Sequence, residues 1–312
     1  SHDSMTSAPA SSIRSARWTL VGAFLALYLF WGSTYLGIKV VVATLPPLGS
    51  AGLRFMIAGA LLYGILRLRG VPAPERAHWR PAAIAGALLI LGGNALVTLA
   101  VQWIDSGLAA VLVATTPIYL TLFGWWSGMG RRPGWVTGLG LAIGLLGIVV
   151  LLDPSLGGPN LWAGMGLALL APMLWAVGTL YGKRSVQPGN ALLFAAMQML
   201  IGGALTLAVS FAIFEPSRIS WAGGSLLSWL AFLYLIVFGA LVGFSAFVYV
   251  TKHTSPAASS SYAYVNPVVA VFLGHLLLGE LLSQRVLLGS ALTLGAVALI
   301  LWRNTRKLPA RA

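Results

Sequence analysis

Cysteine is absent from this 312-residue sequence, and acidic residues are nearly so, with six Asp and Glu against 19 Lys and Arg. Without cysteine there is no disulfide, no thiolate metal site and no iron–sulfur cluster. Charge of either sign is scarce, at 8% of residues, where an ordinary soluble domain carries about 25%. So few charges cannot cover a soluble surface, so lipid must cover most of this chain. Catalytic motifs are missing too. There is no His-Glu-x-x-His and no Gly-x-Ser-x-Gly, since "GFSAF" (243–247) lacks the second glycine. "GTLYGKR" (178–184) is one residue short of a P-loop, has Arg in place of Ser/Thr, and lies inside an apolar run. An enzyme and an ATP-driven pump are therefore not expected.

Hydrophobic residues make up 58% of the sequence, with 37 glycines, 16 prolines and 12 tryptophans. Gly and Pro are commoner in membrane helices than in soluble ones, and Trp favours the membrane interface. About 20 apolar residues cross a bilayer as a helix. Ten such runs are readable, at 18–39, 47–67, 81–103, 106–127, 134–152, 160–182, 189–213, 226–249, 255–279 and 285–302. The loops between them are short, so the fold expected is one all-α membrane domain.

Fifteen of the 19 Lys and Arg fall in the leader, the even-numbered loops and the tail. Only Lys39, Arg218 and Arg285 lie on the opposite side, and Arg54 alone lies inside a run. The positive-inside rule then makes both termini cytoplasmic, which requires an even number of crossings. The basic excess is thus a matter of topology, and nucleic acid is not an expected partner. Ser1 to Ser4 read as a remnant ahead of a native Met5, within a leader of residues 1–17.

An internal repeat is legible. "FWGSTYLGIK" (30–39) and "WAVGTLYGK" (175–183) both place a lysine eight residues after a tryptophan, 144 residues apart. The same offset sets "LRFMIAGALL" (53–62) on "MQMLIGGALT" (197–206). At offsets of 150 and 151, Pro117 meets Pro267, Gly124 meets Gly274, Gly138 meets Gly289 and Gly144 meets Gly295. The repeats are therefore 18–152 and 160–302, with a basic tail, 303–312, after them. Each holds five helices, an odd number, so the second enters the membrane inverted. Secondary transporters are commonly built so, with the substrate site near the midplane at the repeat interface.

These residues carry a resemblance. "FWGSTYLGIK", the proline of the fourth and ninth runs, and "LLLGELLSQRVLLGSALTLGAVALIL" (276–301) resemble the EamA-type drug/metabolite transporter superfamily, over about 18–302. Within it the chain is most similar to the YddG-type exporters of amino acids and other metabolites. The resemblance implies a ten-helix secondary transporter that exports amino acids, aromatic or neutral ones among them, by alternating access. Drugs or nucleotide sugars, or a channel-like facilitator, are the alternatives. It also implies a bacterial cytoplasmic membrane, a small-molecule substrate, no cofactor and no metal. A monomer or a weak homodimer is expected, with Gly140 and Gly144 packing the two halves together. In one departure, the superfamily's glutamate is present as Glu280, but Gly130 stands at the matching place in the first half.

The candidate substrate site is Trp31, Tyr35, Asn94, Tyr119, Trp175, Tyr262 and Asn266. Trp31, Tyr35 and Lys39 make one helical stripe at i, i+4 and i+8. The two tryptophans are too deep in their runs for interfacial anchors. Pro117, Pro172 and Pro267 each remove an N–H, free a carbonyl one turn earlier and kink the helix. Beside them stand Thr115, Thr116, Tyr119, Tyr262 and Asn266, polar groups of the kind a midplane site needs. Lys39 and Lys183 lie at run ends on opposite sides, where they either snorkel to the interface or gate the two mouths. Arg54 is a further candidate for gating, a charge whose burial at helix centre costs about 2.5–3.5 kcal/mol on insertion scales. It either snorkels or meets a substrate carboxylate. Asp105, Asp153, Glu215 and Glu280 fall at or beyond run ends, and no acid is central in any run. Strong ion coupling is not expected, and His275 with Glu280 is left as the candidate for weak proton coupling.

Overall fold

The computed structural model describes residues 10–129, 132–151, 160–253 and 262–305. Among them there is no strand, and ten long helices succeed one another. They are α1 (Ala10–Val42), α2 (Pro47–Leu68), α3 (Arg76–Ala100), α4 (Ser106–Trp126), α5 (Trp135–Leu151), α6 (Leu161–Arg184), α7 (Ala191–Ala212), α8 (Leu226–Val250, continuing helical to His253), α9 (Tyr262–Leu278) and α10 (Gln284–Thr305). α1 starts before the first apolar run, so its polar first turns belong to the leader. The first residues of the ninth run, and Gly130, Arg131 and Asp153, lie outside the described residues.

Seven of the helices are long and apolar enough to cross a membrane, and Trp135–Leu151, Val265–Leu278 and Gln284–Leu299 are shorter apolar helices. Leu25, Leu145, Val149, Phe211, Phe272 and Leu276 all point outward and are more than half exposed. In water such a surface would aggregate, whereas in lipid it is the expected outer face. Trp18, Trp126, Trp135 and Trp162 stand exposed close to the ends of their membrane segments, which is where indole rings find the headgroup level.

Two helices change pitch in their middle. α3 is π-helical over Ala87–Ala95 and α8 over Leu235–Val242. Such a segment widens the turn and disturbs the i→i−4 ladder, and it often sits at a functional site. α4 is broken instead, into Ser106–Val113 and Thr116–Trp126. Pro117 explains the break: with no N–H of its own it leaves the Val113 carbonyl free, and Thr116 Oγ1 donates to that carbonyl at 2.6 Å. Thr115 Oγ1 likewise donates to the Leu112 carbonyl at 2.6 Å. α6 and α9 run on through Pro172 and Pro267.

The helices pair in a pattern that maps onto itself when α1–α5 are matched with α6–α10. The most extensive contacts are α2 with α7 and α5 with α10. α1 packs on α9 and α8, and α6 packs on α4 and α3. Glycine makes the tightest of these contacts possible. A Cβ on Gly52 would lie 2.8 Å from the Gly203 carbonyl oxygen, and one on Gly203 would lie 2.7 Å from that of Gly52. Further along the same interface, Gly59 faces the Ala196 carbonyl. Between α5 and α10, Gly147 and Gly289 face each other's carbonyls, each at 3.0 Å from the position of the other's Cβ. Gly144 lies against Ala296 in the same interface, while Gly295 faces open space. Small residues let helix backbones approach in lipid, where van der Waals contact must replace the hydrophobic effect.

Candidate functional site

A cavity of about 910 Å³, counted with its open mouth, lies at the centre of the bundle. Its walls come from α1, α2, α3 and α4 of the first half and from α6, α8 and α9 of the second. Of the seven residues expected at a substrate site, Trp31, Tyr35, Asn94, Trp175, Tyr262 and Asn266 line it, as do Pro172, Pro267 and Arg54. Tyr119 does not line it. One turn beyond the α4 break, its ring stacks on Phe123 at 5.9 Å. Pro117 lies behind the wall too, but the break it causes turns Ala114 and Thr116 toward the cavity.

An aromatic cluster closes one side. The Trp31 ring stacks on Phe247 at 5.2 Å and meets Tyr262 and Phe244 edge-on at 5.3 and 5.4 Å. Its indole Nε1 donates to the Gly239 carbonyl at 3.1 Å. Gly239 belongs to the π-helical turn of α8, where a widened ladder leaves carbonyls available. Gly243 gives the indole its room, since any side chain there would collide with Trp31. Trp175 occupies the corresponding place in the second half, against Gly93 in the π-helical turn of α3. Its Nε1 makes no hydrogen bond among the described residues. Among the described residues the two tryptophans share a sequence position but not a hydrogen bond.

Polar groups in the wall are few. Asn266 is buried, and its Oδ1 has no partner among the described residues. Asn94 Oδ1 accepts from Arg54 Nη2 at 3.4 Å, and Asn94 O accepts from Thr98 Oγ1 at 2.9 Å. Arg54 itself is 3% exposed, and its guanidinium lies 4.4 Å from the Phe55 ring centroid. Phe55, Phe244, Thr34 and Gly239 also line the cavity and were not singled out from sequence. The two phenylalanines resemble lipid-facing residues in a hydrophobic run. The glycines at 239 and 243 were the available signal.

The remaining candidates lie at the ends of the bundle. A second, more polar cavity of about 630 Å³ includes Lys39, Asp105 and Glu280. Lys39 Nζ donates to the Ile104 carbonyl at 2.6 Å and pairs with Asp105 at 3.5 Å, which ties α1 to the turn before α4. Burial raises the Asp105 carboxyl above its ordinary value and the nearby Glu280 raises it further, against the opposing pull of Lys39. Glu280 accepts the Ser106 and Gly107 backbone N–H groups at 2.8 and 3.1 Å. It thus caps the N-terminus of α4, where orphan amides and the helix dipole favour a carboxylate. Gly274 leaves space for that carboxylate. His275 is exposed, and its Nδ1 donates to the Glu280 carbonyl at 2.9 Å. Glu215 plays a matching part elsewhere, accepting from the Leu48 and Gly49 N–H groups at 3.0 and 2.7 Å and from Ser210 Oγ at 2.7 Å. Lys183 is exposed at the far end of α6. No cluster of three or more His, Asp or Glu suited to a metal occurs among the described residues.

Known proteins share this sequence and fold. The profile of the EamA-like transporter family matches residues 18–153 and again 162–302. An uncharacterized inner membrane transporter of Escherichia coli K12, YedA, is 41% identical over 283 residues, 90% of this chain and 90% of its own length. An uncharacterized transporter of Bacillus subtilis 168, YvbV, is 26% identical over 285 residues, 91% of each chain. One solved crystal structure superposes with a TM-score of 0.64 over 91% of this chain and 97% of its own, at 23% identity, a likeness of fold.

Proposed function

This chain belongs to the EamA-like transporter family, and we propose that it exports amino acids, neutral or aromatic ones among them, and related small metabolites across the bacterial inner membrane. The observation that carries this reading is the central cavity, walled by both halves, aromatic on one side and sparsely polar on the other. Such a concave, mostly apolar site with a few convergent polar groups is the usual form of a small-molecule site. Aromatic walls with isolated amide and hydroxyl groups suit a small solute with an apolar body and one or two polar ends. The self-matching helix pairs support two inverted five-helix repeats, ten crossings and alternating access about the cavity. The distribution of Lys and Arg supports cytoplasmic termini. The inner membrane transporter from Escherichia coli, 41% identical, supports the location.

Counterflow in proteoliposomes tests the reading. Vesicles preloaded with unlabelled amino acids are challenged with labelled ones, with and without a pH gradient. Saturable exchange of a subset is the expected result. Flux that never saturates, with no acceleration by solute on the opposite side, would mean a channel. No exchange of any amino acid would redirect the search to drugs or nucleotide sugars.

A further inference from the structure

Arg54 is a cation without a counter-ion among the described residues. It is 3% exposed, on α2 in the wall of the central cavity. Its only hydrogen bond among the described residues is the long one to Asn94 Oδ1, 3.4 Å, and its buried Nε has no partner there at all. The described carboxylates are all engaged or distant. Asp105 pairs with Lys39, Glu280 caps α4, Glu215 caps α2, and Glu75 accepts from the backbone in the capping box that opens α3. A guanidinium offers five donors in a planar fork, and among the described residues one of them is engaged.

The fold does not need this charge. At the repeat offset of 144, position 54 corresponds to Gln198 of α7, and the α2–α7 interface is nearly symmetric around them. A neutral amide stands at the corresponding sequence position in the second half. A buried, unpaired cation at one of two equivalent positions therefore points to a ligand rather than to packing, because ionisable groups inside a membrane are costly and are kept for function.

We infer that Arg54 anchors a single carboxylate of the transported solute. The inference rests on the cavity being the substrate site, as the proposed function has it. One cation supplemented only by amides and hydroxyls matches one singly charged carboxylate group. A phosphate dianion would call for further positive charge. The aromatic cluster of Trp31, Phe244 and Tyr262 would then take the apolar body. A carrier crossing without solute moves with the guanidinium unpaired, and a loaded one moves with it paired to a carboxylate. Exchange of solute for solute should therefore outrun net release.

The test uses the full chain and four probes: phenylalanine, phenylalanine amide, phenethylamine and inorganic phosphate. Counterflow in proteoliposomes and ligand-induced thermal stabilisation in detergent are both measured, for the native protein, Arg54→Gln and Arg54→Lys. The native protein should prefer phenylalanine over its amide and over the amine, and ignore phosphate. Arg54→Gln, which copies Gln198, should lose roughly 10- to 100-fold in affinity for the acid, leave the amide unchanged, and bring exchange and net release to similar rates. Arg54→Lys should recover part of the preference. Equal handling of acid and amide by the native protein, or an Arg54→Gln variant that keeps the preference, would overturn the inference while leaving a transporter in place. Thermal stabilisation separates the two readings. If no probe exchanges but the acid alone stabilises the native protein and not Arg54→Gln, the anchor stands and the transport reading falls. If no probe stabilises the native protein, the anchor falls.

Discussion

Replacing Glu280 or Glu215 separates a structural carboxylate from a coupling one. Each accepts two backbone N–H groups at the start of a helix in the other half, α4 for Glu280 and α2 for Glu215. Hydrogen bonds to a charged group are worth about 1.5–3 kcal/mol, and a buried donor left unpaired costs about 1–3 kcal/mol. Glu215 is 6% exposed and holds a third donor, Ser210 Oγ, so Glu215→Ala leaves three buried donors and should cost about 3–9 kcal/mol in total. At about 2 °C per kcal/mol for a chain near this size, Tm should fall by about 6–18 °C. Glu280 is partly exposed, and glutamine keeps one acceptor oxygen. Glu280→Gln should therefore cost only about 1.5 kcal/mol, or about 3 °C. Thermal unfolding in detergent, monitored by tryptophan fluorescence and size-exclusion recovery, gives both shifts. Transport by Glu280→Gln, measured from pH 5 to 8 in proteoliposomes, should keep the native pH profile. A flattened profile with an unchanged Tm would refute the capping argument and assign Glu280 to proton coupling.

Gly203→Ala should lower Tm more than an exposed Gly→Ala such as Gly295→Ala, because its Cβ would press on the Gly52 carbonyl and the Met56 amide. Overpacking of this kind costs about 1–3 kcal/mol, and thermal unfolding of the pair of variants checks it. Asp105 contributes a pH dependence of known sign. Its carboxyl is raised above 3.8 in the fold, so the folded state binds more protons than the unfolded state between 3.8 and the raised value. Stability from this group is present below that window and is lost as pH rises through it. Asp105→Asn should flatten the pH dependence of Tm in that window, and an unchanged slope would contradict the assignment.

Much of the architecture was legible because the bilayer imposes a length and a polarity on every crossing. The runs beginning at 47, 106 and 226 match the starts of α2, α4 and α8. The repeat offset of 144 reappears as contact symmetry, with Gly52 on Gly203 and Gly59 on Ala196. Six of the seven proposed site residues share one cavity because midplane polar and aromatic residues on helices near a repeat interface have few other places to go. Tyr119 lies outside the lining of that cavity, one turn beyond the proline break, with its ring on Phe123. Glu280 read as a coupling candidate because its partners are backbone amides far along the chain, which leave no trace in side-chain patterns.

Local composition and spacing set the lipid surroundings, the helices, the repeat and the positions of the midplane polar groups. The tertiary structure decided which of those groups meet. It tied Trp31 to a π-helical carbonyl while leaving Trp175 without such a bond among the described residues. It turned the glutamates Glu215 and Glu280 into helix caps and left Arg54 in the cavity wall with no described acid beside it. Those outcomes depend on contacts between residues up to 208 positions apart, and only the packing of one helix on another sets distances of that kind.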